Sequence, residues 1–240
     1  MLVEICANSL QSALNAEKGG ADRIELCSEL AIGGITPSYG LLKSIRERIS
    51  IPVHVLIRPR SGDFTYSDLE FEIIKKDIAL CRDLGFEGIV TGVLHEDFTL
   101  DEKRTQSLVK ASEGLHFTFH RAFDWVVDPL NTLEKLENMG VHILLSSGQQ
   151  KSALEGIDLL TELNEQASTC TIQPGGGIGI ENLREFKNRN FKAIHLSASS
   201  SIKKLKDPPN IPMHSGPKLK DDEITVTDLN IVRHIVEEAK

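Results

Sequence analysis

The chain is expected to be α/β, a single-domain (β/α)8 TIM barrel. Three observations carry that expectation. Eight short apolar runs each lead into a helix-length segment, several of these segments end in glycine just before the next run, and polar residues gather where each run ends. Strands alternating with helical patterns imply parallel βαβ units. Eight of them imply a closed barrel.

The first run, Leu2 to Cys6, leads into a helix over residues 9–18 that Asn8 or Ser9 can cap, and Gly19-Gly20 suits its left-handed exit. Arg23 to Cys27 is next, then a helix from Thr36-Pro37-Ser38, where proline fits the first turn. Val53 to Arg58 precedes a third helix over residues 67–84, whose Leu69, Ile73, Ile74, Ile78 and Leu84 recur near the helical period before Gly85. The fourth to seventh runs are Gly88 to Thr91, His116 to His120, His142 to Ser146 and Thr171 to Pro174. Their helices are expected to begin near Asp101, Asp128, Ser152 and Ile180, with Gly114 and Gly140 as stops after the first two. Ala193 to Ser197 is the eighth run, and a helix over residues 227–239 carries the stripe Leu229, Val232, Ile235 and Val236. Residues 198–226, rich in Ser, Lys and Pro, break the pattern as a long loop after strand eight. A connection of that length is either functional or disordered. Its Lys203, Lys204, Lys206, Lys218 and Lys220 suit either an anionic ligand or the surface of a mobile lid.

One barrel accounts for all 240 residues, so residues 1–240 are read as one domain. A formal charge of −8 gives no basic footprint for nucleic acid or for an acidic membrane. No run approaches the roughly 18 apolar residues of a membrane span. The N-terminus enters a strand directly, so no leader is expected. Cys6, Cys27, Cys81 and Cys170 form no CxxC pair and are too scattered for a disulfide framework, so free thiols in a reducing, cytoplasmic setting are expected. A homo-oligomer is compatible with all of this.

Alternate residues of a strand face opposite sides. Val3, Ile5, Ile24, Leu26, Phe117, Phe119, Ile194 and Leu196 belong against the helices. The other parity faces the barrel interior: Glu4, Cys6, Glu25, Cys27, Arg58, Thr118, His120, Gln173, His195 and Ser197. Buried polar groups must be paired or hydrated. Arg58 balancing Glu4 or Glu25 is one structural explanation; taken as a set, these residues point to a ligand site at the C-terminal mouth.

Three loops at that mouth carry chemistry. Gly175, Gly176 and Gly177 follow strand seven and precede a helix, an arrangement that lets backbone N–H groups approach an anion, although a tight turn without ligand reads the same. His120-Arg121-Ala122-Phe123-Asp124 follows strand five and offers an imidazole, a cation and a carboxylate for acid–base work; an Arg121–Asp124 pair that merely locks the loop is the alternative. Arg58-Pro59-Arg60-Ser61-Gly62-Asp63-Phe64 follows strand three and holds two arginines able to clamp a carboxylate or phosphate, or a rigid ion-paired loop. Strand six has no inward lysine, which argues against Schiff-base chemistry. Cys6 and Cys27 end neighbouring strands with the same parity. From the residues alone they are simplest as small buried thiols, although paired thiolates select Cu(I).

Several stretches together resemble the CutC family, named for copper homeostasis. They are Ala21 to Cys27, Gly33-Gly34 to Pro37-Ser38, Ile57 to Arg60 with Gly62-Asp63-Phe64, Thr118 to Asp124, and Pro174 to Ile178. The resemblance covers residues 1–199, with departures at Ser61, Ser146 and Ser199, where the family pattern has Gly, Thr and Arg. It implies a cytoplasmic TIM barrel that binds copper as Cu(I) through metal ligands Cys6 and Cys27. The alternative is an enzyme acting on a small anionic or phosphorylated substrate. In that reading Arg58, Arg60, Arg121, Gly175, Gly176, Gly177 and His195 bind, and His120, Glu25 and Asp124 transfer protons.

Overall fold

The computed structural model describes residues 1–213 and 220–240. Eight parallel strands form one nearly closed barrel in sequential order: β1 (Leu2–Ala7), β2 (Arg23–Leu26), β3 (Val53–Leu56), β4 (Gly88–Thr91), β5 (His116–Phe119), β6 (Ile143–Ser146), β7 (Thr171–Pro174) and β8 (Ala193–Leu196). β1 pairs with both β2 and β8. The seam between β7 and β8 is the weak side, closed by a single Gly175–His195 bridge and by Gln173 Nε2 donating to Ile194 O at 3.4 Å. Outside the strands lie α1 (Leu10–Gly19), α2 (Tyr39–Arg46), α3 (Asp68–Asp83), α4 (Glu102–Ala111), α5 (Pro129–Asn138), α6 (Ile157–Gln166), α7 (Leu183–Asn188) and α8 (Leu229–Ala239).

The caps follow from local chemistry. Ser9 accepts from Ser12 N to start α1, and Gly20 ends it at φ 91°. Ser67 and Glu70 form a reciprocal capping box on α3. Asp128 followed by Pro129 starts α5. The outward strand residues Val3, Ile5, Ile24, Leu26, Val55, Ile57, Phe117, Phe119, Leu144, Ile172 and Ile194 pack against the helices in one core. Each such side chain, fully buried, contributes about 1.5–3 kcal/mol. A second, small apolar cluster lies inside the mouth: Cys6, Cys27, Leu56 and Val90, with Leu30 against it.

Glycine stands at the start of β4 and just after its end because histidines occupy the space. A Cβ on Gly88 would lie 2.5 Å from the His54 ring, and one on Gly92 would lie 2.7 Å from His120 Nδ1. At these two places the barrel interior is therefore filled by imidazoles where aliphatic side chains are the usual filling.

Two expectations change. The sixth helix begins at Ile157, not near Ser152, because Ala153 N donates to Gly176 O at 2.8 Å and ties the preceding turn to the loop after β7. Residues 198–226 are not a structureless loop. β9 (Ser199–Lys203) and β10 (Glu223–Thr227) pair antiparallel, so the connection is anchored by its own ladder. Among its lysines, Lys203 lies 3.5 Å from Asp222 and Lys220 lies 2.7 Å from Glu223, both as surface ion pairs, while Lys218 lies outside the described residues. Among the described residues no helix is long and apolar enough to cross a membrane.

Candidate functional site

Strand register builds the floor of the mouth. Glu4 sits opposite Arg23 on β2 and opposite His195 on β8. Its carboxylate pairs with the Arg23 guanidinium, accepts from Gln173 Nε2 at 2.7 Å, and lies 2.8 Å from His195 Nδ1. Arg23 Nη2 also donates to Gln173 Oε1 at 2.9 Å. Burial pushes the Glu4 carboxyl up, but Arg23 and His195 outweigh it and hold the group well below the usual carboxylate range. Burial pushes His195 down, and Glu25 and Glu4 outweigh that to raise it. The structural alternative in which Arg58 balances Glu4 or Glu25 is not realised. Arg23 takes that place, and its parity with Glu25 and Cys27 was the signal for it.

Above this layer lie the sulfurs. Cys6 Sγ is 3.6 Å from Cys27 Sγ and 3.7 Å from Glu25 Oε1. Ligand atoms of Cys6, Glu25 and His195 all lie within 4.8 Å of one another. Glu25 Oε2 is buried without a hydrogen-bond partner, 3.9 Å from His195 Nδ1. The bond with Cys27 and burial push the Cys6 thiol well up, and burial raises Glu25. A soft pair of sulfurs beside an unsatisfied carboxylate oxygen and an imidazole is a donor set that suits a thiophilic metal ion.

A cavity of about 450 Å³ opens above the sulfurs, lined by the polar Cys6, Glu25, Arg58, His120 and His195 and by the apolar Leu30, Phe64, Trp125 and Ile178, with Phe64 packed against both His120 and Arg58. The sequence-derived candidates divide here. Arg121, Asp124, Gly176 and Gly177 also line the cavity. Gly175 stands behind them, bridged to His195. Arg60 is turned into the loop after β3, with Glu70 at 2.5 Å and Asp63 at 3.0 Å. Asp124 accepts from Arg121 Nε at 2.7 Å, Ser146 Oγ at 2.6 Å and Ser147 N at 2.9 Å, which braces the ends of β5 and β6. His120 is 5% exposed and is pushed down to about 3 by burial and by Arg58, so its imidazole is neutral.

A profile of the CutC family matches residues 1–200. The chain belongs to the CutC family. It is 46% identical over 200 residues to the family protein CutC of Erwinia tasmaniensis, covering 83% of this chain and 80% of that one. The CutC of Salmonella agona is 47% identical over 197 residues, covering 82% and 79%. In three dimensions the chain is similar to the crystal structure of CutC from Streptococcus agalactiae, with a TM-score of 0.78 and 33% identity over 82% of this chain and 98% of that one. The family match ends where β9 begins, so the hairpin and α8 stand outside it.

Proposed function

We propose that this member of the CutC family is a cytoplasmic copper homeostasis protein that takes Cu(I) at the floor of the barrel mouth, through Cys6 and Cys27. The observation that carries the reading is the 3.6 Å contact of two inward-facing sulfurs, with Glu25 and His195 at hand to complete the shell. Thiolates are required for binding, and the Cys6 thiol is held protonated by Cys27 and by burial. Uptake therefore releases protons and strengthens as pH rises. Under anaerobic competition with a chelator, reduced protein is expected to bind Cu(I) in preference to Zn(II). Cys6→Ser and Cys27→Ser should each remove most of the uptake. Cys81 lies in α3 and Cys170 just before β7, each pushed up to about 12 by burial, so Cys81→Ser and Cys170→Ser should leave uptake intact. Stoichiometric binding that survives loss of both Cys6 and Cys27 would sink the reading.

A second reading, an enzyme acting on a small anion, is favoured by Arg58. This cation is 6% exposed and spends Nη1 on Ile32 O and Gly34 O and Nη2 on Gly62 O, while its Nε has no partner. Among the described residues no carboxylate pairs with it. A buried charge without a counter-ion is costly, and an anion in the cavity is the missing partner. His120 is neutral and its Nδ1 accepts from Ala122 N, so its unpartnered Nε2 carries the proton and is the donor beside that anion. Calorimetry with inorganic phosphate should detect binding that Arg58→Ala weakens by roughly one to two decades. A mouth indifferent to phosphate at every concentration tried would remove this reading.

A further inference from the structure

The rim of the mouth is built differently from its floor. Gly176 and Gly177 have φ of 109° and 69°, a left-handed backbone that side chains rarely adopt. Among the described residues, neither of their N–H groups finds an acceptor. Arg121 stands over Gly176. Its Nη1 comes within 3.3 Å of the place a Cβ on Gly176 would occupy, so a side chain there would crowd the guanidinium as well as strain the backbone. Arg121 is oriented by Asp124 through Nε at 2.7 Å and by Ser147 Oγ through Nη2 at 2.7 Å. Nη1 is left over, and Arg121, Gly176 and Gly177 line the same cavity. A fixed cation beside two free backbone donors is a receptor for one oxyanion group.

The same cavity also has an aromatic lining, Phe64 and Trp125. Trp125, on the turn Arg121–Trp125, is 45% exposed yet not free to swing. Phe64 packs against it at 4.8 Å between ring centres, and Phe98 meets it edge-on at 6.1 Å. Phe98 holds that place from a left-handed backbone, φ 62°, an outlier for a bulky side chain. Such strain persists only where surrounding structure enforces it, and here the enforcing bonds are Phe98 N to His95 O at 3.0 Å and Thr99 Oγ1 to Asp97 at 2.6 Å. The fold thus spends backbone strain to hold a half-exposed indole in one orientation beside an anion receptor.

We propose that the rim binds a small organic oxyanion carrying a flat apolar ring, its charged head on Arg121, Gly176 and Gly177 and its ring against Trp125. The proposal rests on the second reading above for an anion in this cavity, places its head on Arg121 rather than beside Arg58, and adds the ring. It needs no metal. Trp125 is the only tryptophan in the chain, so its emission reports contact with the ring directly.

Metal-free protein, kept reduced and with a chelator present, is titrated with phenyl phosphate, inorganic phosphate and phenol by calorimetry, with Trp125 emission followed in parallel. Phenyl phosphate should bind about tenfold or more tighter than inorganic phosphate and alter the emission, because burying an aromatic ring adds more than one decade of affinity. Phenol should bind far more weakly, having no charged head. Trp125→Ala should remove the advantage of phenyl phosphate and leave phosphate binding unchanged; Arg121→Met should weaken both phosphates together. Equal affinity for the two phosphates, with unchanged emission, would overturn the ring platform while the anion reading stands. Binding of phenol as tight as that of phenyl phosphate would overturn the oxyanion head. Absence of binding by either phosphate would overturn this proposal and the anion reading with it.

Discussion

Arg23→Met is expected to destabilise the protein by about 3–5 kcal/mol, the cost of leaving one partner of a buried ion pair unmatched. Glu4 is 2% exposed and Arg23 8%, so water cannot reach the carboxylate that the change strands. Gln173 and His195 keep their bonds to Glu4, but Gln173 also loses the Nη2 donor that orients its amide. Adding Glu4→Gln to Arg23→Met should recover much of the loss, because the stranded charge is then gone. Glu4→Gln alone should cost less than Arg23→Met, since a guanidinium retains Gln173 Oε1 as an acceptor. Urea unfolding of the four proteins measures this. Additive single effects, with no recovery in the double variant, would show that the pair is not a coupled unit. The pH dependence has a definite sign. The Glu4 pKa is lowered on folding, so its contribution is complete above 4.5, its ordinary value, and is lost as pH falls through the folded value.

Acidification is expected to weaken the fold well before the carboxylates titrate. His54 and His120 are buried inside the barrel and each is pushed down to about 3, chiefly by burial. Unfolding returns both to an ordinary value of 6.5, so below that pH the unfolded chain binds up to two more protons than the native one. Stability should fall by up to about 1.4 kcal/mol per pH unit for each histidine, or about 3 kcal/mol between about pH 6.5 and pH 5 for the two together. His195 does not offset this. Its pKa is raised on folding, so its contribution is fully present below 6.5 and is lost only as pH rises through the folded value. Denaturant midpoints at about pH 7, 6 and 5 read the slope, and His54→Asn should halve it. A flat profile over that range would mean that the two imidazoles are hydrated or paired in the native state.

Both predictions concern residues whose positions the sequence made legible to different degrees. The inward parity of Glu4, Glu25, His120 and His195 followed from the alternation along β1, β2, β5 and β8, since a parallel barrel allows only two faces. Arg23 shared that parity but sits at the start of its strand, where an arginine also reads as a solvated edge residue. Its partner became evident only when the register set it opposite Glu4. Arg58 shows the opposite case. Its inward parity was legible, but its guanidinium is held by three carbonyls from two loops, and no periodicity specifies where a loop carbonyl will point. Likewise the hairpin of β9 and β10 hides in a Ser- and Lys-rich stretch because exposed two-stranded ladders need little apolar patterning.

The sequence by itself determined the eight-fold alternation, the order of strands, the parity that turns polar side chains inward and the glycine loop after β7. All of these depend on neighbours within a few residues or on a repeat of fixed period. Tertiary structure alone decided which of those inward groups meet. The 3.6 Å approach of Cys6 and Cys27, the capture of Arg23 and His195 by one carboxylate, and the Arg121 nitrogen left over Gly176 all depend on barrel register and loop packing. Contacts between groups as distant in sequence as Glu4 and His195 have no local pattern to announce them, because they are set by how the barrel closes rather than by any run of residues.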